Sequence, residues 1–115
     1  MSEYLILIYG DEKASAEAGP EVWDQLLQAH NRFAEQIAEL GGKLVAGNAL
    51  ESTTSATSVR SDVVTDGPFV ETKEALGGYY LIGATDLDHA LKIAKLCPAP
   101  FGGVEVRPVM EFPDE

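Results

Sequence analysis

The pattern of hydrophobic and polar positions divides the chain into strands and helices. Tyr4 to Tyr9 is an apolar run of β-forming residues, which predicts a strand in the interior of a sheet. From Pro20 to Leu40, apolar residues recur every three or four positions, which predicts an amphipathic helix. The intervening segment, Asp11 to Gly19, is polar and rich in alanine, and it is predicted to be a loop or a frayed turn.

The rest of the chain predicts one further helix and five further β segments. The helix is predicted over Thr85 to Leu96, with Thr85 and Asp88 as a capping box. Its His89 is predicted to be solvated, because it falls in the polar first turn. The predicted strands are, in chain order, Lys43 to Leu50, Thr57 to Arg60, Val63 to Thr65, Gly78 to Ala84 and Val104 to Phe112. The second and third of these flank Ser61-Asp62 and are predicted to form a hairpin.

This order of elements predicts a single α+β domain over residues 1–115. Without the hairpin the order is β-α-β-β-α-β, the split βαβ or ferredoxin-like arrangement, so the hairpin is an insertion between its two halves. Such a sheet carries helices on one face only, and a second subunit commonly covers the other face. The predicted architecture is therefore a homodimer that forms a dimeric α+β barrel.

Charge and composition narrow the function. The formal net charge is −11 and the pI is near 4.4, which argues against nucleic acid and an anionic membrane as partners. The single cysteine, Cys97, has no partner for an internal disulfide, and it is interpreted as a small buried hydrophobe. The apolar run near the N-terminus lacks a basic flank and is short for a signal or a membrane span. A cytoplasmic protein is expected.

The most unusual segment is Asp66-Gly67-Pro68-Phe69-Val70-Glu71-Thr72-Lys73-Glu74, followed by Gly77-Gly78-Tyr79-Tyr80. A turn needs only Asp-Gly or Gly-Pro, so the large apolar residue and the further charges suggest an additional role. The segment resembles the signature of the DGPF-domain proteins within the YCII-related family. Four further blocks support the resemblance across most of the chain: Leu7 to Glu12, Gly77 to Tyr80, Cys97-Pro98 and Val104 to Pro108.

The resemblance implies a ferredoxin-like dimeric barrel and a largely uncharacterised function. Some relatives in the wider group resemble small-molecule enzymes, and others are linked to alternative sigma factors. A histidine on the first helix and an aspartate are proposed there as a catalytic dyad. His30 resembles that histidine, whereas the expected aspartate position holds Cys97.

Seven residues are candidates for a functional site. His30 and Asp66 are candidate catalytic residues, since an imidazole near neutrality or a carboxylate in a pocket can move a proton. The candidate substrate-binding residues are Tyr9, Phe69, Glu71, Lys73 and Tyr79. For Asp66 a structural role in the turn is the alternative, and for Phe69 the alternative is an anchor for the loop. No metal pattern and no glycine-rich phosphate motif is present, so no cofactor is predicted.

Two functions remain open at this point. The first is a small-molecule enzyme of lyase or isomerase type in which His30 or Asp66 transfers a proton, and it would be favoured by convergence of His30, Asp66 and Glu71 on a cavity. The second is a noncatalytic dimeric binding or regulatory module in which the Asp66 loop contacts a partner.

Overall fold

The computed structural model of the chain describes residues 1–113. Six strands and three helices are present in this part of the chain, with one short 3₁₀ turn at Thr53–Ser55. In chain order they are β1 (Ser2–Asp11), α1 (Glu12–Glu17), α2 (Pro20–Glu39), β2 (Lys43–Ala49), β3 (Thr57–Arg60), β4 (Val63–Asp66), β5 (Glu74–Ala84), α3 (Leu87–Ala94) and β6 (Gly102–Pro108).

Four of the strands form one antiparallel sheet in the order β2-β5-β1-β6. Setting the β3–β4 hairpin aside, this is the 4-1-3-2 order of the ferredoxin-like split βαβ fold, read from β6 to β2. The hairpin forms a separate two-stranded sheet, with Arg60 opposite Val63 and Ser61 at a positive φ of 55° in the turn. The predicted α+β fold and the inserted hairpin are confirmed.

The core lies between one face of the sheet and the helices. Fully buried side chains come from α2 and α3 on one side and from β1 and β5 on the other, and they include Phe33, Ile37, Ile93, Ile6 and Ile82. The Cα atoms extend only 17 Å along the shortest axis, which matches one layer of helices on one sheet. The opposite face of the sheet therefore has no covering layer within the described residues.

The segment after β1 contains a capped helix at Glu12–Glu17, so the prediction of a loop or a frayed turn from Asp11 to Gly19 was wrong. The Asp11 side chain caps α1 by accepting hydrogen bonds from the backbone N–H groups of Lys13 and Ala14. A single short turn has no apolar periodicity to detect, and the N-cap was its only sequence signal. This helix places Glu12 beside the chain that follows β2.

The start of α3 also differs from the prediction. Asp86, not Thr85, is the N-cap, and its Oδ1 accepts from the His89 N–H at 2.9 Å. The His89 ring is not merely solvated, because its Nδ1 accepts from the Thr85 N–H at 3.0 Å. Its Nε2–H donates to the Leu40 carbonyl oxygen at 2.7 Å and so ties α3 to the end of α2.

In α2 and β6 the sequence predicted more than the structure contains: a longer buried stripe in the helix and a longer strand. In the α2 stripe only Phe33 and Ile37 are fully buried. Strand β6 ends at Pro108 rather than at Phe112, because its partner β1 begins at Ser2 and offers little further backbone for pairing. Met110 and Phe112 are consequently exposed.

Candidate functional site

A cavity of about 610 Å³ opens between the first half of α2 and the end of the sheet formed by β2 and β5. Helix α1 and the segment that leads into β6 complete its walls. Its lining includes Ile8, Glu12, Trp23, Leu26, His30 and Tyr80. A volume of this size falls in the range of sites for drug-sized small molecules.

Small residues on the sheet leave the space for this cavity. Gly47, Ala49, Ala75, Gly77 and Gly78 all line it, where larger side chains would fill it. Gly47 also gives room to the Tyr80 ring, because a Cβ at position 47 would lie 2.7 Å from the Tyr80 Cδ1. The small residue in β2 therefore leaves room for the aromatic ring of the neighbouring strand.

The polar centre of the cavity is a pair formed by His30 on α2 and Tyr80 on β5. The His30 Nδ1 and the Tyr80 hydroxyl oxygen are 2.7 Å apart. The Tyr80 ring is held from the other side by Phe33, which meets it edge-on with ring centroids 5.0 Å apart. The pair therefore has a fixed geometry, set by a buried core residue.

Burial keeps both members of the pair uncharged at neutral pH. It lowers the pKa of His30 below its ordinary value and raises the pKa of Tyr80 to about 12, where the neighbouring Cys97 adds to the rise. Two tautomers satisfy the bond between them. If the Tyr80 hydroxyl donates to Nδ1, the His30 Nε2–H is left as a donor; if Nδ1–H donates, Nε2 is a free base and the Tyr80 O–H is a donor.

Cys97 is buried behind this pair, as the sequence suggested. Burial raises the pKa of its thiol to about 12, so the sulfur is neutral and unreactive at physiological pH. The pKa is raised because burial removes the thiol from solvent. The negative end of the α3 helix dipole is not the cause, since α3 ends three residues earlier, at Ala94. His30 thus has a tyrosine hydroxyl as its hydrogen-bond partner. Cys97, at the position where the family resemblance led us to expect an aspartate, is neutral and supplies no negative charge to the site.

Tyr9 and Tyr79 border the cavity. Successive residues of a strand point to opposite faces, so Tyr79 faces away from the ring of Tyr80. Its hydroxyl accepts a hydrogen bond from the Asn48 Nδ2 at 2.9 Å on the open side of the sheet. Tyr9 likewise points to the face opposite that of Ile8, the preceding residue, whose side chain packs against the core. Direct substrate binding by these two rings stays a prediction.

Asp66 ends strand β4 of the hairpin and Phe69 follows it, and neither residue lines the cavity. Gly67, at a φ of 100°, donates its N–H to the Ala56 carbonyl, and the Ser58 hydroxyl donates to the Gly67 carbonyl. These bonds close the base of the hairpin. The Phe69 ring is exposed and lies under the Arg60 guanidinium, with the Arg60 Cζ 4.3 Å from the ring centroid, so it contacts the hairpin.

Glu71 and Lys73 are also exposed and lie outside the cavity lining. The Lys73 Nζ is 3.9 Å from an Asp11 carboxylate oxygen, a surface pair that contributes little to stability. His30, Asp66 and Glu71 therefore do not converge on one cavity. A role for the Asp66 loop in binding stays a prediction.

Sequence reasoning missed three residues of the site. Tyr80 was noted only within a motif, although its alternation with Ile82 and Ala84 places it on the helix side of β5. Trp23 and Phe101 form one wall, with ring centroids 6.1 Å apart, and only the tertiary structure brings α2 and the segment before β6 together.

Two general features of residues 1–113 bear on ligands and location. No group of three or more His, Cys, Asp or Glu side chains in this part of the chain is arranged to hold a metal ion. Among the helices described above, none has both the length and the apolar character needed to cross a bilayer.

The fold and the site together define a small ferredoxin-like α+β protein with a mainly apolar cavity and a half-buried histidine–tyrosine pair. The sequence model of the YCII-related domain matches residues 2–113, and the chain belongs to the YCII-related family. It is similar to an uncharacterised protein from Rhizobium meliloti (strain 1021), with 36% identity over 113 residues, covering 92% of this chain and 90% of the relative.

Proposed function

We propose that this protein binds a small molecule in the cavity beside α2 and that the His30–Tyr80 pair transfers a proton to or from it. The observation that carries the proposal is the 2.7 Å contact between two neutral, partly buried groups in the wall of an otherwise mainly apolar cavity. Perturbed titratable groups in a cleft are typical of functional sites. The narrower assignment to the DGPF-domain group is part of the same proposal, and it rests on the Asp66 to Glu74 motif.

The pair suits proton abstraction next to a carbonyl group. When the His30 Nδ1–H donates to Tyr80, the free Nε2 can accept a proton from a carbon atom as the C–H bond breaks. The Tyr80 O–H then donates to the carbonyl oxygen as negative charge develops there. Return of the proton from Nε2 to another carbon gives an isomer, and return to the same carbon gives exchange with solvent.

Deuterium incorporation tests this reaction without knowledge of the natural substrate. The protein is incubated in D₂O with a panel of cyclic ketones and lactones, and mass spectrometry follows the gain of deuterium. Exchange above the buffer rate is expected for at least one compound. General acid–base catalysis contributes about 10²–10⁴-fold, so His30→Gln and Tyr80→Phe should each reduce the exchange strongly.

Tyr4→Phe is the matched control, because Tyr4 is a buried tyrosine of β1 that does not line the cavity. It should keep the exchange rate of the unaltered protein. Equal exchange in His30→Gln and in the unaltered protein would rule out the proposed role of the pair.

The second candidate is a noncatalytic binding or regulatory module. It is favoured by the partner of His30, which is a neutral hydroxyl and not a carboxylate able to stabilise an imidazolium ion. It is also favoured by the position of the charged Asp66 loop outside the cavity. Ligand binding without any deuterium exchange would identify this function.

A further inference from the structure

The charge distribution around the cavity limits the class of molecule that it can hold. Among residues 1–113, no lysine or arginine lines the cavity. Arg32 lies further along α2 and pairs with Glu35 and Glu39 on the surface, and Lys73 pairs with Asp11. A bound carboxylate or phosphate would find no cation here, in a protein whose formal net charge is already −11.

The two acidic side chains of the lining are already engaged with the protein or with solvent. The Glu12 carboxylate already accepts hydrogen bonds from the N–H of Thr53, at 2.8 Å, and from the Thr53 hydroxyl. Glu51 is exposed to solvent at the rim. Moving a charge of either sign into the interior without a partner is strongly unfavourable.

The remaining walls favour an apolar ring compound. Trp23 and Phe101 form an inclined pair of rings with an angle of 43° between their planes, and Ile8, Leu26 and Leu27 add aliphatic surface. In both tautomers the His30–Tyr80 pair offers one hydrogen-bond donor beyond the bond that joins its members. That donor suits one oxygen atom on the ligand.

We infer that the ligand is an uncharged, mainly apolar cyclic compound that carries one carbonyl or hydroxyl oxygen, bound with this oxygen at the His30–Tyr80 pair. The inference deepens the proposed function and rests on it for the location of the site. The walls disfavour charged metabolites of the same size, irrespective of whether a reaction follows binding.

A matched series of naphthalene derivatives tests the charge preference. Isothermal titration calorimetry at neutral pH compares 2-naphthol, the 2-naphthoate anion and the 2-naphthylmethylammonium cation. The neutral alcohol should bind at least about ten-fold more tightly than either ion, because only the ions lose hydration without gaining a counter-charge. An ion that binds as tightly as 2-naphthol, or a series in which nothing binds, would overturn the inference.

A variant designed to reverse the charge preference of the cavity gives a sharper test. Leu27 lines the cavity and its side chain is 63% exposed, so Leu27→Lys adds a cation at the cavity with little risk to folding. This variant should raise the affinity for 2-naphthoate relative to 2-naphthol. Leu27→Gln removes the same aliphatic surface without adding a charge, and it should weaken the binding of both compounds alike. Val59→Lys adds the same charge on the hairpin, outside the cavity lining, and should leave both affinities unchanged.

The outcome can be separated from that of the proposed function. If 2-naphthol binds best but no compound exchanges deuterium, the ligand class stands and the proton transfer fails. If 2-naphthoate binds best in the unaltered protein, the ligand class fails, and exchange into a charged compound can still support proton transfer at His30.

Discussion

His30 and Tyr80 illustrate how a site depends on residues that are far apart in the sequence. The helical pattern alone could place His30 on the inner side of α2. The alternation of Tyr80 with Ile82 and Ala84 could place Tyr80 on the helix side of β5. Its contact with His30 could not be predicted, because that depends on how α2 packs on the sheet, where Gly47 lies opposite Tyr80 and leaves room for its ring. The resemblance to other family members pointed to the position of Cys97 instead, and that residue is a neutral thiol behind the pair.

At this scale the buried imidazole should make stability depend on pH. Burial lowers the pKa of His30 below 6.5, the value of an ordinary histidine. Between the lowered pKa and about 6.5, the unfolded chain binds more protons at this residue than the folded chain does. The free energy of unfolding therefore falls as the pH drops through this window, and the contribution of His30 is fully present above it.

Chemical denaturation at a series of pH values, in the unaltered protein and in His30→Gln, measures this effect. The variant should lose less stability than the unaltered protein as the pH is lowered through the window. The carboxylates are common to both proteins and cancel in the comparison. Parallel curves would show that His30 titrates alike in the folded and unfolded states.

At the level of elements, the contact between α1 and the 3₁₀ turn after β2 closes one side of the cavity. Glu12 begins α1, and Thr53 begins the turn, 41 residues later. The strands and long helices were predicted because each repeats its pattern several times. The short α1 and its bond to Thr53 were not, since a six-residue helix offers no period and a long-range hydrogen bond leaves no local mark.

Removal of this contact should loosen both short elements. Glu12→Ala removes a charged acceptor of two hydrogen bonds, and we expect a loss of about 1–2 kcal/mol in the free energy of unfolding. Thr53→Val removes only the hydroxyl bond and should cost less. The double variant should show a coupling energy of about 0.5 kcal/mol or more by urea denaturation, because the two side chains are in direct contact.

Glu17→Ala is the matched control, since Glu17 ends the same helix, is exposed and makes no side-chain hydrogen bond within the described residues. Its effect should be close to zero. Hydrogen exchange adds a local measure: the backbone amides of α1 should lose protection in Glu12→Ala and keep it in Glu17→Ala. Equal losses in the two variants would mean that the contact with Thr53 does not hold α1.

At the scale of the whole molecule, the fold leaves one face of the four-stranded sheet uncovered within the described residues. The register places Leu5 opposite Leu81 and Leu7 opposite Tyr79, on the side away from the helices. Glu105 and Arg107 of β6 lie beside them and form a pair of charges 3.8 Å apart. The order of elements in the sequence predicted this uncovered face. No pattern in the sequence predicted that the valines of the hairpin would be exposed.

We propose that two copies of the chain pack these faces together, as in a dimeric α+β barrel. Sedimentation velocity should then give twice the mass of the 115-residue chain at micromolar concentration. Leu7→Lys should convert the protein to a monomer, because a stable interface of about 1,200–2,000 Å² on this face would have to desolvate the added ammonium group. Val59→Lys carries the same change to the exposed hairpin and should remain dimeric. A monomer in the unaltered protein, or a Leu7→Lys variant that stays dimeric, would show that this face is not the interface.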